Sequence, residues 1–124
     1  MNEITEYREA TAEALGFKIA GYGYLSPGCY EHRAYYKGGS QICDVGDWHP
    51  DTDHNQMAMV KKLLIDQGYR ILMDLYSTEK KVFIYPHGIK GSSYDCYEFS
   101  DKSELTAFRK AFMKYYKTKQ DGRD

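Results

Sequence analysis

The sequence predicts a small α+β domain, an α/β/α sandwich in which helices are layered on an antiparallel sheet. Three observations lead to this fold class: helical periodicity in three segments, three short strand patterns separated by turn residues, and a length of 124 residues that suits one core. Hydrophobic residues make up 42% and charged residues 28%, as in ordinary globular proteins. We therefore expect a single domain over residues 1–124, with a frayed tail from about residue 118.

The first helix is predicted over residues 4–15. Apolar side chains recur there three or four positions apart between glutamates, and Gly16 is placed to end the helix. From Phe17 to Gly46, glycines and a proline interrupt short aromatic pieces, which indicates a long irregular segment with two strands. Segments of this kind are typical of binding or assembly.

A second helix is predicted from Thr52 to Gln67, with Asp51 or Thr52 as its N-cap and Gly68 closing it. Three strands follow over residues 70–76, 81–85 and 94–99, and the short turns between them favour an antiparallel meander. Apolar residues on both sides of these strands predict a sheet that is covered on both faces.

The last helix is predicted over residues 102–117. Asp101 and Glu104 have the spacing of a capping box. Five cations and no acid lie between Leu105 and Gln120, so we expect the helix face away from the core to be strongly positive.

Charge and aromatic content favour a binding protein. With 17 basic and 18 acidic residues the net charge is -1, which argues against a dedicated duplex-binding protein. The chain holds 13 Tyr, 5 Phe and 1 Trp, and such rings suit interfaces and pockets for flat ligands. No apolar run resembles a membrane span or a signal peptide, and three cysteines without a CxxC pair predict reduced thiols, so we expect a cytosolic protein.

Catalytic and metal-binding patterns are weak. The possible zinc or manganese ligands are His49, Asp51, Asp53 and His54, together with Asp44 and Asp47. The carboxylates of Asp51 and Asp53 also suit the cap of a helix, and the spacing matches no zincin or EF-hand. Cys96 is a possible nucleophile whose residue type is more typical of a small buried side chain. We therefore expect no enzyme activity and no cofactor.

Cations and rings together indicate a nucleotide-like ligand. An arginine can bind a phosphate or carboxylate in bidentate fashion, and a ring stacked on a base is worth about 1 to 3 kcal/mol. The cations that could take the anionic group are Arg33, Arg70, Lys90 and Arg109.

Three segments resemble one family. These are ATAEALGFK (Ala10 to Lys18), DWHPDTDHNQMAMVKKLL (Asp47 to Leu64) and ELTAFRKAFMKYY (Glu104 to Tyr116), and they resemble the phage ABA sandwich domain family. The resemblance covers most of the chain. Phe17 stands where the family usually has Trp, and His54 where it usually has Leu.

The resemblance implies a layered helix, sheet and helix fold and an anti-defence function. Phage proteins of this kind, the first type of Thoeris anti-defence protein, act as sponges that bind cyclic ADP-ribose isomers made by bacterial TIR-domain enzymes and do not cleave them. They bind in pockets between subunits of a homo-oligomer, and some hold cyclic oligonucleotides at a second site. The expected location is the cytoplasm of the infected host, with no membrane or duplex nucleic acid as partner.

Candidate ligand-binding residues follow from this expectation. Arg109 is the preferred phosphate contact, and Arg109→Ala is expected to keep the fold and lose ligand. A turn that could contact phosphate or ribose is formed by Ser92, Ser93, Tyr94 and Asp95. The rings that could stack on the base are Trp48, Phe83, Tyr85 and Tyr94. One further candidate cation is Arg33.

Two other functions stay open. The first is a metal-dependent phosphodiesterase that cleaves cyclic nucleotides at the histidine and carboxylate cluster. The second is a protein-interaction module with no small ligand, in which the tyrosine-rich segment Tyr22 to Tyr36 forms the interface.

Overall fold

The fold is described by a computed structural model, which covers residues 2–22, 32–76, 78–86 and 97–121. The α+β class and the antiparallel pairing are confirmed. A 3-10 turn, Val45–Asp47, precedes the second helix. The elements are α1 (Glu3–Ala14), β1 (Lys18–Tyr22), β2 (His32–Lys37), β3 (Ser40–Asp44), α2 (His54–Asp66), β4 (Tyr69–Asp74), β5 (Lys80–Pro86), β6 (Tyr97–Asp101) and α3 (Glu104–Asp121).

The chain separates into two compact units, Met1–His49 and Pro50–Asp124. Each unit has its own three-stranded antiparallel sheet, with strand orders β1-β2-β3 and β4-β5-β6. In its described residues, the segment from Phe17 to Gly46 thus forms three strands where the sequence predicted two, because a two-residue turn folds β3 back on β2. That the whole chain is one domain stays a prediction.

The ends of α1 follow from two residues. The side chain of Asn2 accepts a hydrogen bond from the Thr5 N–H at 2.7 Å, which caps the first turn. At the other end Gly16 has φ +84°, and the N–H groups of Gly16 and Phe17 donate to the carbonyls of Glu13 and Ala12. This is a Schellman ending, and it confirms Gly16 as the residue that terminates the helix.

The second helix begins later than predicted. Asp53, and not Asp51 or Thr52, is the N-cap, because its carboxylate accepts from the Gln56 N–H at 3.0 Å. Residues 50–52 form a turn before it. Gly68, with φ +96°, follows the helix as predicted.

In the first unit, β2 is the central strand of the sheet. Gly38 and Gly39 have φ of +60° and +85°, which lets a two-residue turn join Lys37 to Ser40. The register shifts between Tyr35 and Tyr36. Tyr35 is buried, and burial is the main cause of its raised pKa.

In the second unit, α3 supplies much of the core. Its buried side chains are Ala107, Phe108, Ala111, Phe112 and Tyr115. The periodicity predicts a stripe of Leu105, Phe108, Phe112 and Tyr115, of which the last three are buried and Leu105 is half-buried. The start differs from the predicted capping box, because the Ser103 hydroxyl accepts from the Thr106 N–H and Asp101 accepts from the Ser103 N–H. The helix continues to Asp121, past residue 118 where fraying was expected. No described helix is long and apolar enough to cross a membrane.

Candidate functional site

The β4–β6 sheet has two faces that differ in what covers them. Strand register puts Met73, Val82 and Phe99 in one row and Ile71, Ile84 and Tyr97 in the next, so these residues share a face with Tyr69 and Asp101. We call this the covered face. Val82 and Ile84 on it have no exposed surface.

Both helices of the unit lie on the covered face. The Lys61 Nζ on α2 is 3.8 Å from the Met73 Sδ. The ring of Tyr115 on α3 meets the rings of Tyr69 and Tyr97 edge-on, with centroids 5.0 and 5.8 Å apart. Its hydroxyl hydrogen-bonds to the Gln67 Oε1 at 3.1 Å, and burial raises the Tyr115 pKa.

The opposite face of the same sheet carries a different set of side chains. We call it the open face; its members are Arg70, Leu72 and Asp74 on β4, Lys81, Phe83 and Tyr85 on β5, and Glu98 and Ser100 on β6. Leu72 is 55% exposed. The expectation that both faces are covered is therefore wrong at this position, because α2 and α3 both pack on the other side.

Phe83 and Tyr85 lie at the centre of the open face. They are two residues apart on the middle strand, so their rings point to the same side. Tyr85 is the register partner of Arg70, and Phe83 lies between Leu72 and Glu98. Both rings are half-buried, whereas Arg70, Leu72 and Glu98 are exposed. The structure thus brings together two predicted rings and one predicted cation.

Arg109 does not join this group. It lies on α3, which packs on the covered face, so the thickness of the sheet separates its helix from the rings of Phe83 and Tyr85. Within one copy of the chain, the preferred phosphate contact and the preferred stacking rings are therefore on opposite sides of the sheet. Sequence reasoning missed this because it did not use the strand register.

Several lysines of α3 have partners on the sheet. The Nζ atoms of Lys114 and Lys119 lie 5.6 and 5.7 Å from the ring centroids of Phe99 and Tyr69. Lys110 pairs with Asp101 at 3.2 Å. Three of the lysines predicted to form a strongly positive face on this helix therefore contact rings or a carboxylate of the same unit.

Trp48 is buried and hydrogen-bonded within the first unit. It is 1% exposed, and its Nε1–H donates to the Thr11 hydroxyl at 3.0 Å and to the Arg8 carbonyl at 3.1 Å. The Phe17 ring meets it edge-on at 5.1 Å. A ring enclosed in this way offers no free face to a base.

The remaining candidates are spread over the chain. Arg33 is exposed on β2 of the first unit, where Gly21 of β1 is its register partner. Ser92, Ser93, Tyr94 and Asp95 lie outside the described residues, as do Lys90 and Cys96.

The metal hypothesis gains no geometric support, and the nucleophile hypothesis for Cys96 falls outside the described residues. Among residues 2–22, 32–76, 78–86 and 97–121, no three His, Cys, Asp or Glu side chains are grouped as metal ligands. Asp53 instead caps α2. Burial, followed by the charges of Asp47 and Asp44, raises the pKa of Cys43 and keeps that thiol in its less nucleophilic, protonated form.

No family model, curated protein or solved structure matches the chain. The resemblance to phage ABA sandwich proteins therefore stays a prediction. Among the described residues, the open face brings together two rings, an arginine and a carboxylate that a ligand could contact. Leu72 and Glu98 were missed as members of it. The two-residue alternation of side chains along β4 and β6 places Leu72 and Glu98 on the same face as Phe83, once the face that the helices cover is known.

Proposed function

We propose that this chain binds a nucleotide-type immune signal and sequesters it without cleaving it, as a phage anti-defence sponge in the cytoplasm of the infected host. The proposed cargo is a cyclic ADP-ribose isomer, as the family resemblance implies. One observation carries the proposal. Phe83 and Tyr85 share the face of the sheet that lies opposite both helices, with Arg70 directly beside Tyr85.

These three residues supply the two interactions that a nucleotide needs. A base stacked on an aromatic ring gains about 1 to 3 kcal/mol, and the planar guanidinium of an arginine can donate two hydrogen bonds to a phosphate. A binding site on strands is also more precise than one on loops, because the pairing fixes where each side chain starts. A sponge needs this affinity and no acid, base or nucleophile.

A second copy of the chain is part of the proposal. A sheet face with Leu72 at 55% exposure leaves apolar surface that another subunit can cover together with the ligand. We therefore propose a homo-oligomer with ligand pockets close to the subunit interfaces. Light scattering coupled to size-exclusion chromatography measures this state directly, and a monomer with and without ligand would contradict it.

The ligand test is a retention experiment. Purified protein is incubated with glycocyclic ADP-ribose isomers and, separately, with cyclic oligonucleotides, free ligand is removed by filtration, and the heated protein is assayed by mass spectrometry. Intact ligand released on heating is the expected result. Ligand left in the filtrate would contradict the sponge function for that panel, and a cleaved product would favour the phosphodiesterase.

Two arginine variants locate the site. Arg70→Ala is expected to weaken retention by about 10- to 150-fold, since a hydrogen bond to a charged group is worth about 1.5 to 3 kcal/mol. Arg109→Ala is the matched control and is expected to retain ligand, which reverses the expectation from sequence alone. Loss of ligand in Arg109→Ala with normal retention in Arg70→Ala would move the site to α3.

A further inference from the structure

The spacing of the two rings on β5 sets what they can stack on. Residues two apart on a strand are separated by about 6.8 Å, because each residue advances the chain by about 3.4 Å. Successive bases in a duplex are only about 3.4 Å apart along the axis. Two neighbouring bases can therefore occupy the rings of Phe83 and Tyr85 only when they are unstacked from each other, as a single strand allows.

The cations of the open face flank this row of rings. Lys81 precedes Phe83 on the same side of β5, and Arg70 is the register partner of Tyr85. Both cations are exposed. The register partner of Lys81 is Asp74, whereas that of Arg70 is an aromatic ring, so Arg70 has the more favourable surroundings for a phosphate.

A carboxylate lies beside the first ring. Glu98 on β6 is the register partner of Phe83 and is exposed. A carboxylate accepts hydrogen bonds and has none to donate, so it favours a base with an amino group on its edge and disfavours a base with a carbonyl there. Cytosine and uracil differ in this way at one position.

We propose that the open face binds single-stranded nucleic acid, with two successive bases stacked on Phe83 and Tyr85, Arg70 on the backbone phosphate and Glu98 selecting a base that carries an amino group. The proposal uses the same face as the proposed function and goes beyond it, because a cyclic ADP-ribose isomer has one base. The near-neutral charge of the chain agrees with a short contact that depends on stacking more than on many phosphates.

The test is fluorescence anisotropy with labelled oligo(C) and oligo(U) tetraribonucleotides on the full chain. Oligo(C) is expected to bind more tightly than oligo(U), and unlabelled CMP, which has one base, is expected to compete weakly. Phe83→Ala and Tyr85→Ala are each expected to weaken oligo(C) binding by about 5- to 150-fold. Tyr76→Ala, a fully exposed tyrosine after the end of β4, is the matched control and is expected to bind normally.

One further variant tests the role of Glu98. Glu98→Gln adds an amide donor and is expected to remove the preference for oligo(C) over oligo(U). Circular dichroism of each variant checks that the fold is kept, and Phe83→Leu replaces Phe83→Ala if the smaller side chain unfolds the sheet.

The outcomes separate this inference from the proposed function. If CMP competes as well as the tetranucleotide, or if one ring variant leaves oligo(C) binding unchanged, the two-base inference is wrong. If cyclic ADP-ribose is retained through Arg70 while oligo(C) does not bind, the sponge function stands and this inference falls. If oligo(C) binds through both rings and no cyclic signal is retained, this inference stands without the sponge function.

Discussion

Trp48 and the pair Phe83 and Tyr85 are all aromatic stacking candidates by sequence, yet the two units of the protein place them in opposite environments. Trp48 is 1% exposed, with its N–H bonded to Thr11 and its ring against Phe17. Phe83 and Tyr85 are half-buried on the open face. The comparison teaches that residue type does not decide whether a ring can bind a base; the partner on each side of the ring does.

The same contrast occurs within a single strand. Along β5, Val82 and Ile84 are completely buried, whereas Phe83 and Tyr85 between and after them are not. Alternation of side chains sends the first pair towards α2 and α3 and the second pair to the open face.

The enclosed tryptophan should matter most for stability. Trp48→Ala is expected to lower the free energy of unfolding by about 3 to 5 kcal/mol, because it empties a packed site and removes the hydrogen bonds of the indole N–H. Urea denaturation followed by circular dichroism measures this loss. Tyr76→Ala removes a fully exposed ring and is expected to change stability by less than about 0.5 kcal/mol. Similar losses in the two variants would refute the contrast.

The next largest effect is the difference in stability lost when a side chain is truncated on one face of the β4–β6 sheet or on the other. Ile84→Ala on the covered face is expected to cost about 2 to 5 kcal/mol, whereas Leu72→Ala on the open face is expected to cost about 1 kcal/mol or less, since Leu72 is 55% exposed. The same denaturation experiment gives both values. A loss from Leu72→Ala that grows with protein concentration would show a second copy covering the open face, as proposed for the homo-oligomer. A large loss that does not depend on concentration would contradict the exposure of this face within one chain.

Sequence patterns predicted the helices and strands better than they predicted which side chains share a face. Periodicity and end signals located α1, α2 and α3, because Gly16, Gly68 and the apolar stripe of α3 act locally. Pairing across β1, β2 and β3 depended on distant residues and on the two-glycine turn, so only part of that sheet was predicted. The position of Arg109 relative to the rings depended on which face α3 covers, and one helix or strand does not contain that information.

The tyrosine of the open face offers a finer test. Tyr85→Ala is expected to weaken ligand binding by about 5- to 150-fold, because a stacked ring is worth about 1 to 3 kcal/mol. Tyr85→Phe keeps the ring and is expected to bind within about threefold of the original protein, since a hydroxyl on an exposed face can bond to water. Equal losses in the two variants would show that the hydroxyl, and not the ring face, contacts the ligand. Isothermal titration calorimetry measures both affinities.

The smallest expected effect concerns pH at the edge of the covered face. The backbone N–H of Ser103 and the ammonium of Lys110 hold the Asp101 pKa below its ordinary value. A lowered pKa in the folded state means that this carboxylate stabilises the protein above its unfolded-state pKa, and that the stabilisation disappears as pH falls through the folded-state value. Asp101→Asn should therefore be less stable than the original protein at neutral pH and equally stable in strong acid. Thermal melts across acid pH measure the difference, and a gap that widens in acid would contradict it.

The two-glycine turn between β2 and β3 governs the order in which the first sheet is expected to form. With Gly38 and Gly39 both at positive φ, Lys37 and Ser40 are brought together by a loop of two residues, so closing this hairpin costs little chain entropy. Hairpins of this kind form in about 1 to 10 microseconds. The pairing of β1 with β2 closes a longer loop, so we expect β2 and β3 to meet first and to serve as the template on which β1 assembles.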